Sequence, residues 1–180
     1  MRRLDLLAQL ERYRPIDALE AQHHQAIVEL VGQAPGAFDR DHFAPGHITA
    51  SCFIVHGDAL LLHHHRRLNR WLQMGGHVEG DEDPAAAALR EGSEESGLRD
   101  LALASDGIFD LDVHLIPAGR GEPEHRHFDV RFLARTATPD AAVIDAAESN
   151  ELAWVPLAAA ESIMNEAASS RVIQKIRSRL

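Results

Sequence analysis

Hydrophobic positions follow two periods along the chain, one typical of helices and one typical of strands. Leu4, Leu7 and Leu10 recur at helical spacing, which predicts a helix over about residues 3–13 that ends before Pro15. A little further on, apolar residues begin to alternate with polar ones or to form short β-branched runs, as strands do. The pattern therefore predicts a helical start followed by a β-rich body.

A second helix is predicted to start after Asp17, which is a good N-cap residue, and to run to about Val31. Both helices precede the β-rich part of the chain. We expect residues 1–33 to be a helical extension that packs as a cap on the domain. The alternative is that these helices form the surface of a homodimer.

The remaining chain is predicted to be a mixed α/β domain. Strands are predicted at His47–His56, Ala59–His64, Ile108–Ile116, Phe128–Ala134 and Leu152–Val155. Loops are predicted at residues 34–46 and 117–124, and helices from Pro156 to about Ala167 and over Arg171–Arg179. Strands around one central helix, with further helices at both ends, favour a single domain of α/β class whose core is residues 47–180.

Composition narrows the class of protein. Hydrophobic residues make up 45% and charged residues 26%, as in ordinary globular proteins. The net charge of −10 provides no general basic face, so no nucleic acid polymer is expected as a partner. No apolar run approaches the about 20 residues that a membrane helix requires. The one cysteine, Cys52, lies in an apolar run and fits an inert core thiol in a reducing cytoplasm.

Candidate functional residues are most concentrated in the stretch GGHVEGDEDPAAAALREGSEESGL. Pro84 suits the first turn of a helix and Gly97 suits its left-handed end. Within that helix Glu91, Glu94 and Glu95 are spaced i, i+3, i+4, so their side chains leave from one face. Clustered carboxylates repel one another, and hard divalent cations such as Mg²⁺ prefer such oxygen ligands. The stretch therefore predicts a cation site, or else a solvated acidic face.

The spacing resembles the Nudix box, the motif of the Nudix hydrolases. The matching positions are Gly76, Glu82, Arg90, Glu91, Glu94, Glu95, Gly97 and Leu98. Two positions depart from the usual pattern: Gly92 replaces a bulky apolar residue that packs the helix on the sheet, and Met74 stands where proline is common. An interior glycine weakens a helix by roughly 1 kcal/mol relative to alanine. The departures therefore bear on the rigidity of the helix and not on the predicted ligands.

The resemblance implies a Nudix-like α/β/α sandwich with a mixed β-sheet and N-terminal helices added. It implies hydrolysis of a pyrophosphate bond in a nucleoside diphosphate derivative or a related small diphosphate, by attack of water on phosphorus with Mg²⁺ or Mn²⁺. The metal ligands carried over by position are Gly75, Glu91, Glu94 and Glu95. Arg90 is carried over as an orienting group held by a salt bridge to Glu82.

The general base stays open at this point. Glu91 and Glu94 are candidates inside the box, and Glu148 and Glu151 are candidates just before the last strand. Members of the Nudix family often supply a carboxylate from a loop at that place. The other interpretation of Glu148 and Glu151 is ordinary surface acid.

A second group of polar residues alternates on a predicted strand. His125, His127, Asp129 and Arg131 share one face, which either meets solvent or lines the substrate cleft. In the cleft, Arg131 would meet a phosphate. Histidines at i, i+2 could also chelate zinc, but no complete ligand pattern accompanies them. Arg66, in the basic run just before the box, is a further candidate for phosphate contact or a solvated strand end.

Two other functions fit the same resemblance. A non-catalytic Nudix module could sense a nucleotide derivative, but such modules often lose box carboxylates and this chain keeps them. An isomerase on the same scaffold would need a catalytic cysteine, for which Cys52 has a poor context. We therefore expect a hydrolase whose partner is a small-molecule diphosphate.

Overall fold

The computed structural model describes residues 2–119 and 121–180, so Arg120 in the predicted loop 117–124 lies outside the described residues. The helices are α1 (Arg2–Arg12), α2 (Ala18–Gln33), α3 (Pro84–Ser96), α4 (Leu157–Met164) and α5 (Ser169–Arg177), with a short 3₁₀ helix at Pro139–Ala141. The strands are β1 (Gly46–His56), β2 (Ala59–His65), β3 (Arg70–Leu72), β4 (Met74–His77), β5 (Ala102–Leu103), β6 (Asp110–Ile116), β7 (His125–Arg135) and β8 (Ser149–Pro156).

The strands of the described residues join one sheet that divides around β1. Along one edge β1 runs parallel to β7, and β7 pairs antiparallel with β5 and β6. Along the other edge the first half of β1 pairs with β4 and its second half with β2, which carries β3 and β8. The sheet is therefore mixed, and the predicted α/β/α class is confirmed.

Helices cover both faces of this sheet over two separate apolar cores. On β1, Ile48 and Ile54 point into the core under α1, α2 and α3, to which the N-terminal helices contribute Leu10 and Ile27. The alternate position Phe53 points into the other core, under α4 and α5. None of the described helices has both the length and the apolar character needed to cross a bilayer.

Local chemistry sets both ends of α3. Asp83 caps its start by accepting hydrogen bonds from the main-chain N–H groups of Ala85 and Ala86 at 2.9 and 3.0 Å. Gly97 ends it in the left-handed conformation, with φ 72°. The helix runs unbroken through Gly92, so the loss of rigidity expected from that glycine does not interrupt it.

A buried ionic network joins the N-terminal helices to the last helix. Glu20 of α2 is fully buried and accepts hydrogen bonds from the Lys175 ammonium and the Tyr13 hydroxyl. Lys175 also donates to Asp110 at 2.8 Å, and so does Arg171 at 2.8 Å. Because buried charges are stable only when they are paired, this network fixes α2 against β6 and α5.

Several element boundaries differ from the prediction. The sequence pattern does not predict β3, β4 and β5, each of four residues or fewer. Strand β7 begins at His125 and not at Phe128, because histidines occupy its buried start. Helix α4 ends at Met164, before the predicted Ala167, because Asn165 adopts the left-handed conformation with φ 48°.

Candidate active site

Arg90 is the centre of the ionic contacts around α3. Its guanidinium donates to Glu82 at 3.1 to 3.3 Å, so the expected salt bridge is present. It also donates to Glu91 at 3.0 Å and to Glu94 at 3.2 Å. A further hydrogen bond reaches the main-chain carbonyl of His77 at 2.9 Å. Burial lowers the pKa of Arg90, but its hydrogen bonds to Glu82 and Glu91 raise it by more, so the net pKa is above the usual value. The guanidinium therefore stays charged while it joins the loop, α3 and β4.

Glu95 is the most deeply buried carboxylate of the box, with 5% of its surface exposed. Its Oε2 atom accepts a hydrogen bond from the main-chain N–H of Gly75 at 2.8 Å. Burial raises the pKa of Glu95 to about 8; the Gly75 N–H opposes this, and the charges of Glu91, Glu148 and Asp145 add to it. A bound cation would favour the ionised form of such a carboxylate, so the donor set fits a divalent ion.

The glycine pair allows this close approach of main chain and carboxylates. A methyl group on Gly75 would lie 2.3 Å from the Cβ of Ser51, and one on Gly76 would lie 2.5 Å from the carboxyl carbon of Glu91. At Gly75 the neighbours include main-chain atoms of β1, so no side chain fits there, whereas at Gly76 a side chain would displace the Glu91 carboxylate. Gly75 therefore allows the close approach of β4 to β1, and Gly76 leaves room for the Glu91 carboxylate of α3.

The loop before β8 brings Glu148 towards the same carboxylates. Burial raises the pKa of Glu91; Arg90 opposes this, and the charges of Glu94 and Glu148 raise it again. The main-chain N–H of Arg66 donates to the Glu148 carbonyl at 2.9 Å. The guanidinium of Arg66 donates to the carbonyl of Ala146 at 2.5 Å. Arg66 and Glu148, which sequence reasoning placed separately, thus belong to one loop contact beside α3.

Asp129 and Arg131 occupy the interior of the sheet face and do not meet solvent. Arg131 is 1% exposed and donates to Asp129 at 2.9 Å and to Asp112 at 3.0 Å. The hydroxyls of Thr49 and Ser51 donate to Asp129 at 3.1 and 2.7 Å. This burial and pairing argue against the predicted contact of Arg131 with a phosphate and favour a role in holding β1, β6 and β7 together.

His125 and His127 belong to a histidine cluster on the same face, at the start of β1 and β7. His47 of β1 is the register partner of His127, and their ring centroids are 5.0 Å apart. His77 of β4 and His114 of β6 lie beside them, with centroids 5.5 and 5.6 Å from the His127 ring. The sequence pattern gave no sign that His47 joins this cluster, because the two strands are about 80 residues apart along the chain.

Burial favours the neutral form of three of these rings, those of His47, His77 and His127. Burial, together with charge on the neighbouring rings, lowers the pKa of His77 to about 4 and that of His127 to about 2. Burial and His125 also lower the pKa of His47. These rings therefore carry unprotonated nitrogens at neutral pH.

Comparisons with known proteins agree with this geometry. A model of the NUDIX domain matches residues 45–176. A "Probable DHNTP pyrophosphohydrolase" from Lactococcus lactis subsp. cremoris is 32% identical over 88 residues, which cover 48% of this chain and 52% of that protein. The chain thus spans about half the length of this curated relative.

Solved structures share the fold. The binary complex of C. elegans Ap4A hydrolase gives a TM-score of 0.58 at 22% identity, covering 73% of this chain and 95% of that one. The E. coli dihydroneopterin triphosphate pyrophosphohydrolase gives 0.57 at 17% identity, covering 74% of this chain and 96% of that one. Since the domain model spans well over half of the chain, the chain belongs to the NUDIX family.

Proposed function

We propose that this protein is a hydrolase dependent on Mg²⁺ or Mn²⁺ that cleaves the pyrophosphate bond of a nucleoside diphosphate derivative or a related small diphosphate. The observation that carries the proposal is that Glu95 binds the main chain of Gly75 while the Glu91 carboxylate lies against Gly76. The charge of Glu148 acts on both carboxylates. Burial and mutual repulsion disfavour the charged forms of Glu91 and Glu95. A bound cation would stabilise these charged forms, as expected of metal ligands.

The residues that would hold the metal are Gly75, through its carbonyl, and Glu91, Glu94 and Glu95. Once bound, the ion neutralises phosphate oxygens and polarises the bond to be broken. Arg90 orients Glu91 and Glu94 by direct hydrogen bonds, and Glu82 holds Arg90. The Gly75 N–H fixes Glu95.

In the proposed reaction, a water oxygen forms a bond to phosphorus as the bridging P–O bond breaks and the leaving phosphate keeps its electron pair. A carboxylate takes the proton of the water. Glu91, Glu94 and Glu148 are the candidates for this base. Glu148 lies in the loop that Arg66 holds, so we propose that these two residues border the substrate.

The names of the relatives guide the choice of substrates for a test. Purified protein would be assayed with Mg²⁺ and with Mn²⁺ against dihydroneopterin triphosphate, Ap4A, nucleoside triphosphates, nucleotide sugars and ADP-ribose, with release of phosphate or pyrophosphate as the readout. We expect at least one of them to be cleaved, and the activity to vanish with EDTA. Thermal stabilisation by a ligand without any product would contradict hydrolysis and favour the sensing alternative.

We infer a cytoplasmic location from the single cysteine, which suits a reducing compartment. The packing of α1 and α2 into the core supports the role of a cap. A homodimer stays a prediction that sedimentation of the purified protein would check.

A further inference from the structure

Three histidines from two strands bring their ring nitrogens close together in the histidine cluster. One ligand atom each from His47, His125 and His127 lies within 4.8 Å of the other two. Tetrahedral zinc with Zn–N distances of about 2.0–2.1 Å needs about 3.4 Å between ligand nitrogens. Side-chain rotations that bring the nitrogens about 1.4 Å closer at most would therefore meet this geometry.

The strongest argument for a ligand at this cluster comes from His47. It is 1% exposed, and neither Nδ1 nor Nε2 has a hydrogen-bond partner. The nearby main chain of His42 raises the pKa of His47, against the larger lowering by burial, but its geometry with the ring is not that of a hydrogen bond. Leaving a buried polar group without a partner destabilises the folded state. A metal ion coordinated by one ring nitrogen would remove part of that destabilisation.

His125 is oriented as metal-binding histidines usually are. Its Nδ1 lies 2.8 Å from the carbonyl oxygen of Pro123. A carbonyl can only accept, so Nδ1 carries a proton, and the tautomer that leaves a lone pair for a metal has it on Nε2. Histidine ligands of metals commonly donate their other N–H to a main-chain carbonyl in this way, which fixes the tautomer and the ring orientation.

We propose that His47, His125 and His127 form a second metal site, for Zn²⁺ or a similar transition-metal ion, distinct from the glutamate site on α3. Imidazole nitrogen suits zinc, cobalt, nickel and copper, whereas Mg²⁺ prefers oxygen. The two sites of this protein therefore select different ions by ligand chemistry. Three protein ligands leave one position of a tetrahedral ion for water, for the neighbouring ring of His77, or for a small molecule.

The second site would fasten the starts of β1 and β7 to each other. His47 and His127 are direct register partners on those parallel strands, and His125 lies two residues away on the same face. His77, beside them, also accepts the hydrogen bond from Arg90 through its main chain. The two sites are therefore separate in ligands but adjacent in the fold.

Titration with Co²⁺ and Zn²⁺ tests this proposal without any assay of activity. Protein stripped with EDTA and desalted would be titrated with CoCl₂, followed by visible absorption, and then with ZnCl₂ as competitor. We expect one cobalt ion per chain to give the spectrum of nitrogen ligation and to be displaced by zinc, whatever cobalt binds at the glutamate site. The Glu95→Gln variant should keep this site, which separates it from the glutamate site.

Variants of the cluster complete the test. We expect His47→Gln and His127→Gln each to weaken zinc binding at least about tenfold, as loss of ligand support does. His63→Gln, a buried histidine outside the cluster, is the matched control and should bind as the wild type does. Zinc affinity that is unchanged in both folded cluster variants, or absent from the wild type, would overturn the proposal.

A spectroscopic measurement on the wild type covers the case in which a variant does not fold. In ¹⁵N-labelled protein, zinc should shift the NMR resonances of the imidazole nitrogens of His47, His125 and His127. Other histidine resonances should move less. If these rings respond to a diphosphate substrate and not to zinc, the cluster is part of the substrate cleft and the metal site is refuted.

Discussion

A methyl group on Gly92 would lie 2.6 Å from the sulfur of Cys52, so α3 and β1 approach as closely as these two residues allow. The Cys52 thiol also lies 3.2 Å from the carbonyl oxygen of Ala88, one turn earlier in the helix. Burial raises the pKa of the thiol, which keeps it neutral. The strand thus supplies the bulk that the sequence motif normally places on the helix.

Gly92→Ala should destabilise the protein by about 1–2 kcal/mol, because overpacking costs more than the gain in helix propensity. In a Cys52→Ala background the same change should cost less, because the sulfur contact is gone and only Leu101 Cδ1, at 3.1 Å, stays tight against the methyl. Urea denaturation of the four proteins measures this coupling. Gly32→Ala is a matched control, because a methyl there meets nothing within 4 Å, and it should not destabilise. An equal effect of Gly92→Ala in both backgrounds would contradict the packing argument.

Glu95→Gln should reduce turnover by at least about 100-fold, the usual effect of losing one group that stabilises transition-state charge. It should also raise the melting temperature at pH 7 without added metal. The reason is that burial raises the folded-state pKa of Glu95 to about 8, above its unfolded value, so its ionisation favours the unfolded chain at neutral pH. Glu161→Gln, on the exposed side of α4, is the control for the charge change. A Glu95→Gln protein that is both active and less stable would refute the assigned role.

Lys175→Met should lower the free energy of unfolding by about 3–5 kcal/mol, because it leaves Glu20 and Asp110 with less charge compensation inside the protein. The double variant Lys175→Met with Glu20→Gln should recover part of this loss, since the buried negative charge is removed too. Urea denaturation at neutral pH measures both. If the second substitution adds its own full cost, the two side chains are not coupled.

His63 should make stability depend on pH between about 6.5 and 4. Burial lowers its pKa to about 4, and its ring lies 2.6 Å from the Ser149 hydroxyl. The unfolded chain takes up the proton first, near pH 6.5, so the contribution is complete above that value and is lost as the pH falls towards 4. The shift corresponds to about 3 kcal/mol at most.

The measurement compares urea denaturation of the wild type and His63→Gln from pH 8 to pH 4. At pH 8 the two should differ by a constant offset, and below pH 6.5 the wild type should lose stability more steeply. Parallel curves over the whole range would show that His63 has the same pKa in the folded and the unfolded protein, which would contradict the effect of burial.

Features that depend on residues close together in the sequence could be predicted, whereas features formed by strands far apart in the sequence could not. Both ends of α3 follow from Pro84 and Gly97, and the Arg90–Glu82 pair follows from the motif. The histidine cluster needs the parallel register of β1 with β7, which local spacing does not reveal. The polar residues that alternate around Arg131 fit a solvent-exposed strand face as well as a buried, ion-paired one. The burial of Arg131 could therefore not be predicted.

The buried pairing of Glu20 with Lys175 has a consequence for where this protein can be cut. The family match begins at residue 45, yet Glu20, one of the two carboxylates that compensate Lys175, comes from α2, well before that boundary. A fragment trimmed to the match would keep Asp110 beside the ammonium but lose Glu20, and it would expose the apolar surface that Leu10 and Ile27 cover. The smallest cooperative folding unit therefore extends upstream of the family match.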